Sequence, residues 1–217
     1  MKKYSGAGVI PIIIHNNKPY FVLFMLNKGT VTDAGGRIEH NTTVLDTAAR
    51  ELYEESAGLF NINPSVLDTN SMYLDITHKD NLYYRSYFVL FNNFDISDID
   101  YYYDNLTKIK REKHSPFSET RNICLISLDY IHIMKNQFDD IVILMNDYLN
   151  KVFELSGRTG LIMRTIRDNF KDLNDFYDKI SKEIKFINLK IKKTDVKTYT
   201  YGNHIDIKIE GLDTFMC

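Results

Sequence analysis

Residues 35–59 read Gly-Gly-Arg-Ile-Glu-His-Asn-Thr-Thr-Val-Leu-Asp-Thr-Ala-Ala-Arg-Glu-Leu-Tyr-Glu-Glu-Ser-Ala-Gly-Leu. Within them Leu45, Ala48, Ala49 and Leu52 recur at helical spacing and form one apolar stripe. Thr42 or Thr43 stands where an N-cap belongs, and Asp46, three residues after Thr43, makes an acidic variant of the capping box. Ala57-Gly58 supplies the stop, with Gly58 able to adopt the left-handed cap conformation. The stretch therefore predicts a capped amphipathic helix that docks on a core through its apolar stripe.

The opposite face of that helix carries the chemistry. Glu51, Glu54 and Glu55 fall at i, i+3 and i+4, within one turn of each other. Like charges so placed repel by a few tenths of a kcal/mol per pair in an isolated helix. A hard divalent cation offsets that repulsion, since magnesium is held through carboxylates, water and substrate phosphate. Arg50, four residues before Glu54, can pair with it and fix its rotamer. Glu-x-x-Glu-Glu alone describes many solvated faces; the glycine pair ahead of a capped, arginine-bearing helix sets this one apart.

With Gly36 as its first residue, the segment resembles the Nudix box, Gly-x5-Glu-x7-Arg-Glu-U-x-Glu-Glu-x-Gly-U with U aliphatic. Gly36, Arg50, Glu51, Leu52, Glu54 and Glu55 fall in register. Two positions depart from the pattern. Thr42 replaces the first glutamate, which removes a carboxylate near the metal site, and one extra residue precedes Gly58.

Composition agrees with an ordinary folded enzyme. At 217 residues the chain suits one domain with an appendage, and 44% apolar residues can fill a sizeable core. A net charge of −2 gives no general attraction to nucleic acid or anionic membrane. Cys124 and Cys217 are too few for a disulfide framework and lie in no metal-ligand spacing. Cys124, in an apolar run, reads as a buried small hydrophobe. The lysines and apolar run at the N-terminus imitate a signal peptide only faintly, because Pro11 and His15 interrupt them. A cytoplasmic location is the default expectation.

Along the chain, residues 6–15 and 19–26 read as strands around an Asn16-Asn17-Lys18-Pro19 turn, followed by a loop at 27–34. Strands are expected at 66–76, 82–92 and 121–128, with an irregular insertion at 93–119. A helical stretch is expected from 128 to about 155, and a second helix from about 160 to 184 after a break at Gly157. The tail, 186–210, reads as lysine-bearing strands with a turn at 201–203.

The resemblance covers roughly residues 5–150 and implies an α/β fold, a Nudix-type α/β/α sandwich with a mixed sheet. It places a Nudix hydrolase domain at 1–155. Residues 156–217 form a C-terminal extension, helix then strands, packed on the core. As a family-specific cap, a dimerisation element giving a homodimer, or a binding appendage, the extension stays open.

Nudix enzymes cleave the pyrophosphate of a nucleoside diphosphate linked to another moiety, by water attack on phosphorus. The resemblance therefore implies Mg2+ or Mn2+ held by Glu51, Glu54 and Glu55. It also implies catalytic roles for Glu54, Glu55 and Arg50, and a supporting metal or base role for Glu119, just before the strand at 121–128. Gly36, Arg37 and Arg85 are candidate substrate contacts, as are Lys110 and Arg111 within the basic cluster at 108–114. The partner is then a nucleotide or nucleotide-linked small molecule. Capped RNA is the alternative suggested by the basic cluster and the lysine-rich tail. A catalytically weak nucleotide-binding module is a third reading, prompted by Thr42.

Overall fold

The computed structural model describes residues 3–77, 82–92, 94, 119–127, 143–145, 152–170, 173–183 and 187–188. β1 (Tyr4–His15) and β2 (Lys18–Leu26) form an antiparallel hairpin. Its tip is Asn16-Asn17, both at positive φ (50° and 61°), the backbone that a two-residue hairpin turn of right-handed twist demands. The expected loop at 27–34 instead holds β3 (Val31–Thr32) and the start of β4 (Ala34–Arg37). Both are short, and β4 pairs with β1 through Gly6–Val9.

The box helix forms as expected: α1 spans Val44–Glu55. Thr43 is its N-cap, and the reciprocal capping box with Asp46 is complete. At the other end the extra residue is absorbed by two successive left-handed residues, Ala57 (φ 50°) and Gly58 (φ 80°). The Gly58 N–H closes on the Tyr53 carbonyl at 2.9 Å, so the chain still leaves the helix through a glycine cap.

Residues 66–71 do not begin a strand. Asn63 caps and Pro64 opens a short helix, α2 (Pro64–Thr69), because proline's fixed φ suits a first helical turn. β5 (Met72–Thr77) follows, then β6 (Tyr83–Asn92) and β7 (Thr120–Ser127), close to the expected 82–92 and 121–128. The helix expected over 128–155 is contradicted where the chain is described. Ile143–Met145 and Val152–Glu154 are an antiparallel pair, β8 and β9, and both are runs in which apolar and β-branched residues favour extended backbone. The single helix expected over 160–184 is two, α3 (Gly157–Asn169) and α4 (Leu173–Glu183), divided at Phe170, which is extended. Gly157 opens α3 behind the N-cap Ser156 rather than marking a break. Of the tail, β10 (Ile187–Asn188) is described; the turn at 201–203 lies outside the described residues.

The main sheet is mixed, in the order β10-β6-β1-β2-β3, with β4 beside β1, β5 beside β6 and β7 beside β2. β1 pairs parallel with β6 and antiparallel with β2 and β4. Side chains alternate between two cores. Ala7, Val9 and Ile13 of β1 face the α1 side, with Ala48, Ala49 and Leu52. Ile10 and Ile12 face the other side, with Ile162, Met163 and Ile166 of α3 and Phe176 and Ile180 of α4. Burial on both faces explains why β1 and β2 read as almost unbroken apolar runs. The architecture is α/β, one helical layer on each face of a mixed sheet, and α3 and α4 supply the second layer. Cys124 is buried, as the sequence suggested. Among the described residues, no helix is long and apolar enough to cross a membrane.

Candidate metal and diphosphate site

The carboxyl end of α1 lies against β4. Arg50 organises the acids there: its Nη2 donates to Glu51 Oε1 at 2.7 Å and its Nη1 to Glu54 Oε2 at 2.8 Å. Glu39 adds a third carboxylate to the same guanidinium, 3.4 Å from Nη2. Burial is the main influence on Glu51 and Glu54 and pushes both pKa values up, with the Arg50 charge pulling the other way. For Arg50 itself burial opposes the charge, but Glu51, Glu54 and Glu39 outweigh it and the pKa rises.

Glu55 differs. Its side chain is turned inward at 6% exposure, and Gly35 N–H donates to its Oε1 at 3.4 Å. Its Oε2 is buried without a hydrogen-bond partner. Burial drives its pKa well above the ordinary glutamate value, and the nearby Arg158 charge offsets this only in part. Such an oxygen costs free energy unless something charged or hydrogen-bonding meets it. Gly36 completes the corner, since a β-carbon there would overlap the Glu51 carboxylate.

Among the described residues no three His, Cys, Asp or Glu side chains converge as a closed metal cage. Two box carboxylates are instead paired with Arg50. The donor set still fits a hard divalent ion. Its oxygens are from carboxyl groups, they share the end of one helix, and the orphaned Glu55 Oε2 is a buried oxygen that a cation would satisfy.

The structure thus gathers Gly36, Arg50, Glu51, Glu54 and Glu55. Glu119 is exposed just before β7, where its carbonyl accepts from Asn27 N–H at 3.0 Å. Its charge is close enough to help raise the Glu54 pKa. Arg37 is exposed at the end of β4. Arg85 is committed elsewhere: Nε and Nη2 form a fork on Asp75 at 2.7 and 3.0 Å, and its guanidinium lies 3.7 Å from the Tyr73 ring centroid. Lys110 and Arg111 lie outside the described residues.

Sequence reading missed a buried polar group next to this corner. Asp33, fully buried, accepts from Tyr84 OH at 2.6 Å, Arg158 Nε at 2.9 Å and Thr159 Oγ1 at 2.8 Å. Burial raises the Tyr84 pKa well above normal, so the phenol remains a donor. An acid just ahead of the glycine pair was the one local signal to be had.

No protein-family model matches this chain, and no curated protein matches it. Solved structures do. A MutT/nudix family protein from Enterococcus faecalis is similar over 77% of this chain and 62% of its own, at 11% identity and a TM-score of 0.47. The chain thus spans under two thirds of that protein. A mutT/nudix family protein from Listeria innocua is similar over 82% and 99% respectively, at 10% identity and 0.42. The third is a C. elegans Ap4A hydrolase, over 57% and 79%, at 18% identity and 0.38. All three of these structures carry Nudix-type or Ap4A hydrolase names. At those values the functional reading rests on the chain's own box residues.

Proposed function

We propose that this chain is a Nudix-type pyrophosphohydrolase, dependent on Mg2+ or Mn2+, that cleaves the pyrophosphate bond of a nucleoside diphosphate linked to another group. The observation that carries the reading is the corner where Arg50, Glu51 and Glu54 meet Gly36 while Glu55 keeps one buried oxygen unpartnered. Glu51, Glu54 and Glu55 would hold the ion. When bound, it would neutralise phosphate charge and sharpen the attacking water. The chain's own groups do the rest. Arg50 fixes the rotamers of Glu51 and Glu54 through two of its nitrogens, and the absence of a side chain at Gly36 makes room for the Glu51 carboxylate against β4. Glu119, exposed and with its charge felt at Glu54, would accept a proton from water.

The test is a magnesium-dependent release assay over nucleoside triphosphates, dinucleoside polyphosphates, nucleotide sugars, diphosphoinositol phosphates and capped RNA. Turnover of one class, abolished by Glu54→Gln, supports the proposal. Inactivity on all of them with magnesium or manganese sinks it. The capped-RNA alternative rests on residues 108–114 and the lysine-rich tail, outside the described residues; activity confined to capped RNA and falling steeply with salt selects it. Ligand binding that survives Glu54→Gln without any turnover selects the binding-module reading.

A further inference from the structure

β4 pairs with β1 through Gly6–Val9, and the N–H and C=O of Gly35 are used by side chains. Its N–H donates to Glu55 Oε1 at 3.4 Å, and its carbonyl accepts from Arg158 Nη2 at 2.8 Å. Glu55 comes from α1, on one face of the sheet. Arg158 comes from α3, on the other. In a strand the N–H and C=O of one residue point the same way, so the two side chains meet along one short stretch of strand edge. They form no direct ion pair within 4 Å among the described residues, yet each is a charged neighbour of the other.

Arg158 is not free to move. Nε is held by Asp33 Oδ1 at 2.9 Å, and Nη2 also reaches Thr32 Oγ1 at 3.1 Å. Its guanidinium lies 4.6 Å from the Tyr84 ring centroid, and the Tyr84 hydroxyl grips the second Asp33 oxygen at 2.6 Å. Thr159 locks the same carboxylate and accepts from the Asp33 N–H at 2.9 Å. This cluster fixes a cation behind the glycine pair, and two of its members, Arg158 and Thr159, lie more than a hundred positions beyond the box helix.

We propose that Arg158 is a positioning residue for the metal site. It holds the Gly35 carbonyl, the Gly35 N–H holds Glu55 Oε1, and Oε2 is left unpartnered to serve as a ligand. The proposal rests on the metal-site reading above. Groups that orient metal ligands typically matter 10–100-fold for metal affinity, and Arg158 acts on Glu55 through the backbone of one residue, Gly35.

The experiment is Mn2+ titration by electron paramagnetic resonance on the full chain, with thermal unfolding followed in parallel. Arg158→Met should weaken Mn2+ binding about 10–100-fold, and Arg158→Lys, which retains the charge on a single donor nitrogen, should lose less. Where Arg158→Met fails to fold, Arg158→Met combined with Asp33→Asn removes the buried acid with its cation and carries the comparison. The decisive readout is coupling. In a Glu55→Gln background, Arg158→Met should change Mn2+ affinity by no more than about twofold. A purely structural role would give the same loss in both backgrounds, and that result overturns the proposal. So does a folded Arg158→Met/Asp33→Asn protein with wild-type affinity. In the latter case, Mn2+ binding lost only on Glu54→Gln leaves the metal-site reading standing. A wild-type chain that binds no Mn2+ removes both.

Discussion

Gly36 and Glu51 stand so close that a β-carbon on residue 36 would overlap the Glu51 carboxylate. The clashing atoms are the far end of a flexible side chain, so Gly36→Ala should be accommodated by swinging Glu51 aside. Stability should change by less than about 1 kcal/mol. Mn2+ affinity should fall about tenfold or more, because a carboxylate has left its place. Thermal unfolding and a metal titration on the same sample check both halves. Unchanged affinity would show that Glu51 is not a ligand.

Gly35→Ala should behave in the opposite way. A β-carbon there meets the buried Tyr84 hydroxyl, Gly8 Cα at 2.8 Å and the Ala7 carbonyl oxygen at 2.9 Å. Two of those atoms are backbone in the centre of the sheet and cannot step aside. The substitution should cost about 3 kcal/mol, measured by urea unfolding.

Glu55 makes metal-free stability depend on pH with a definite sign. Its folded pKa lies well above the ordinary glutamate value because burial disfavours the charge. Above about pH 4.3 the unfolded chain releases the proton before the folded one does. The native state then holds more protons, so stability falls as pH rises through that interval and stays reduced above the folded pKa. Glu51 and Glu54 shift in the same direction and add to the effect. Glu55→Gln should flatten the metal-free profile and raise Tm near neutral pH by about 2–4 °C. Magnesium should stabilise this variant less than the wild type, because one of three ligands is weakened while Glu51 and Glu54 remain. A metal-free Tm that climbs with pH across this range contradicts the assignment.

What the sequence revealed, and what it hid, follows contact distance. α1 was legible because its cap, stripe and stop lie within a few residues of one another, and the capping box formed with the expected Thr43 and Asp46. Strands β1, β2, β6 and β7 were legible as apolar runs. α2 was not, since the apolar residues after Pro64 look like strand unless Asn63 is recognised as a cap. β8 and β9 were lost inside an apparent helical period. The Asp33–Arg158 contact joins residues 125 apart, and no local pattern announces it. The role of α3 as half of the second helical layer was hidden for the same reason. The site was therefore readable on the α1 side of the glycine pair and invisible on the α3 side.

Arg85 read as a phosphate contact from its place in an aromatic strand, but both nitrogens of its fork face Asp75, and Nη2 also donates to Tyr4 OH. Asp75 is only 9% exposed at its side chain, so losing the arginine leaves a largely desolvated carboxylate. With partial exposure discounted, Arg85→Ala should cost about 2 kcal/mol in urea unfolding. Mn2+ affinity should not change. A variant of normal stability whose KM rises would instead return Arg85 to the substrate.

Thr42 stands where the box pattern has a glutamate, yet the acid is not missing from Arg50. Glu39, three residues earlier, sits 3.4 Å from its Nη2. Thr42 serves the turn instead. Its hydroxyl accepts from Glu39 N–H at 3.1 Å and donates to the Glu39 carbonyl at 3.0 Å, closing the turn that presents Glu39. Thr42→Glu would add the consensus acid but remove that closure, so it should not improve metal binding. Glu39→Gln removes a carboxylate that is 64% exposed and part of a loose pair, so its stability cost should be small. Its effect should appear in the site, as a modest drop in turnover when Arg50 holds Glu51 and Glu54 less firmly. Kinetics on both variants decide the matter. A Thr42→Glu protein that gains activity, with Glu39→Gln inert, would mean that Glu39 is no substitute for the absent box glutamate.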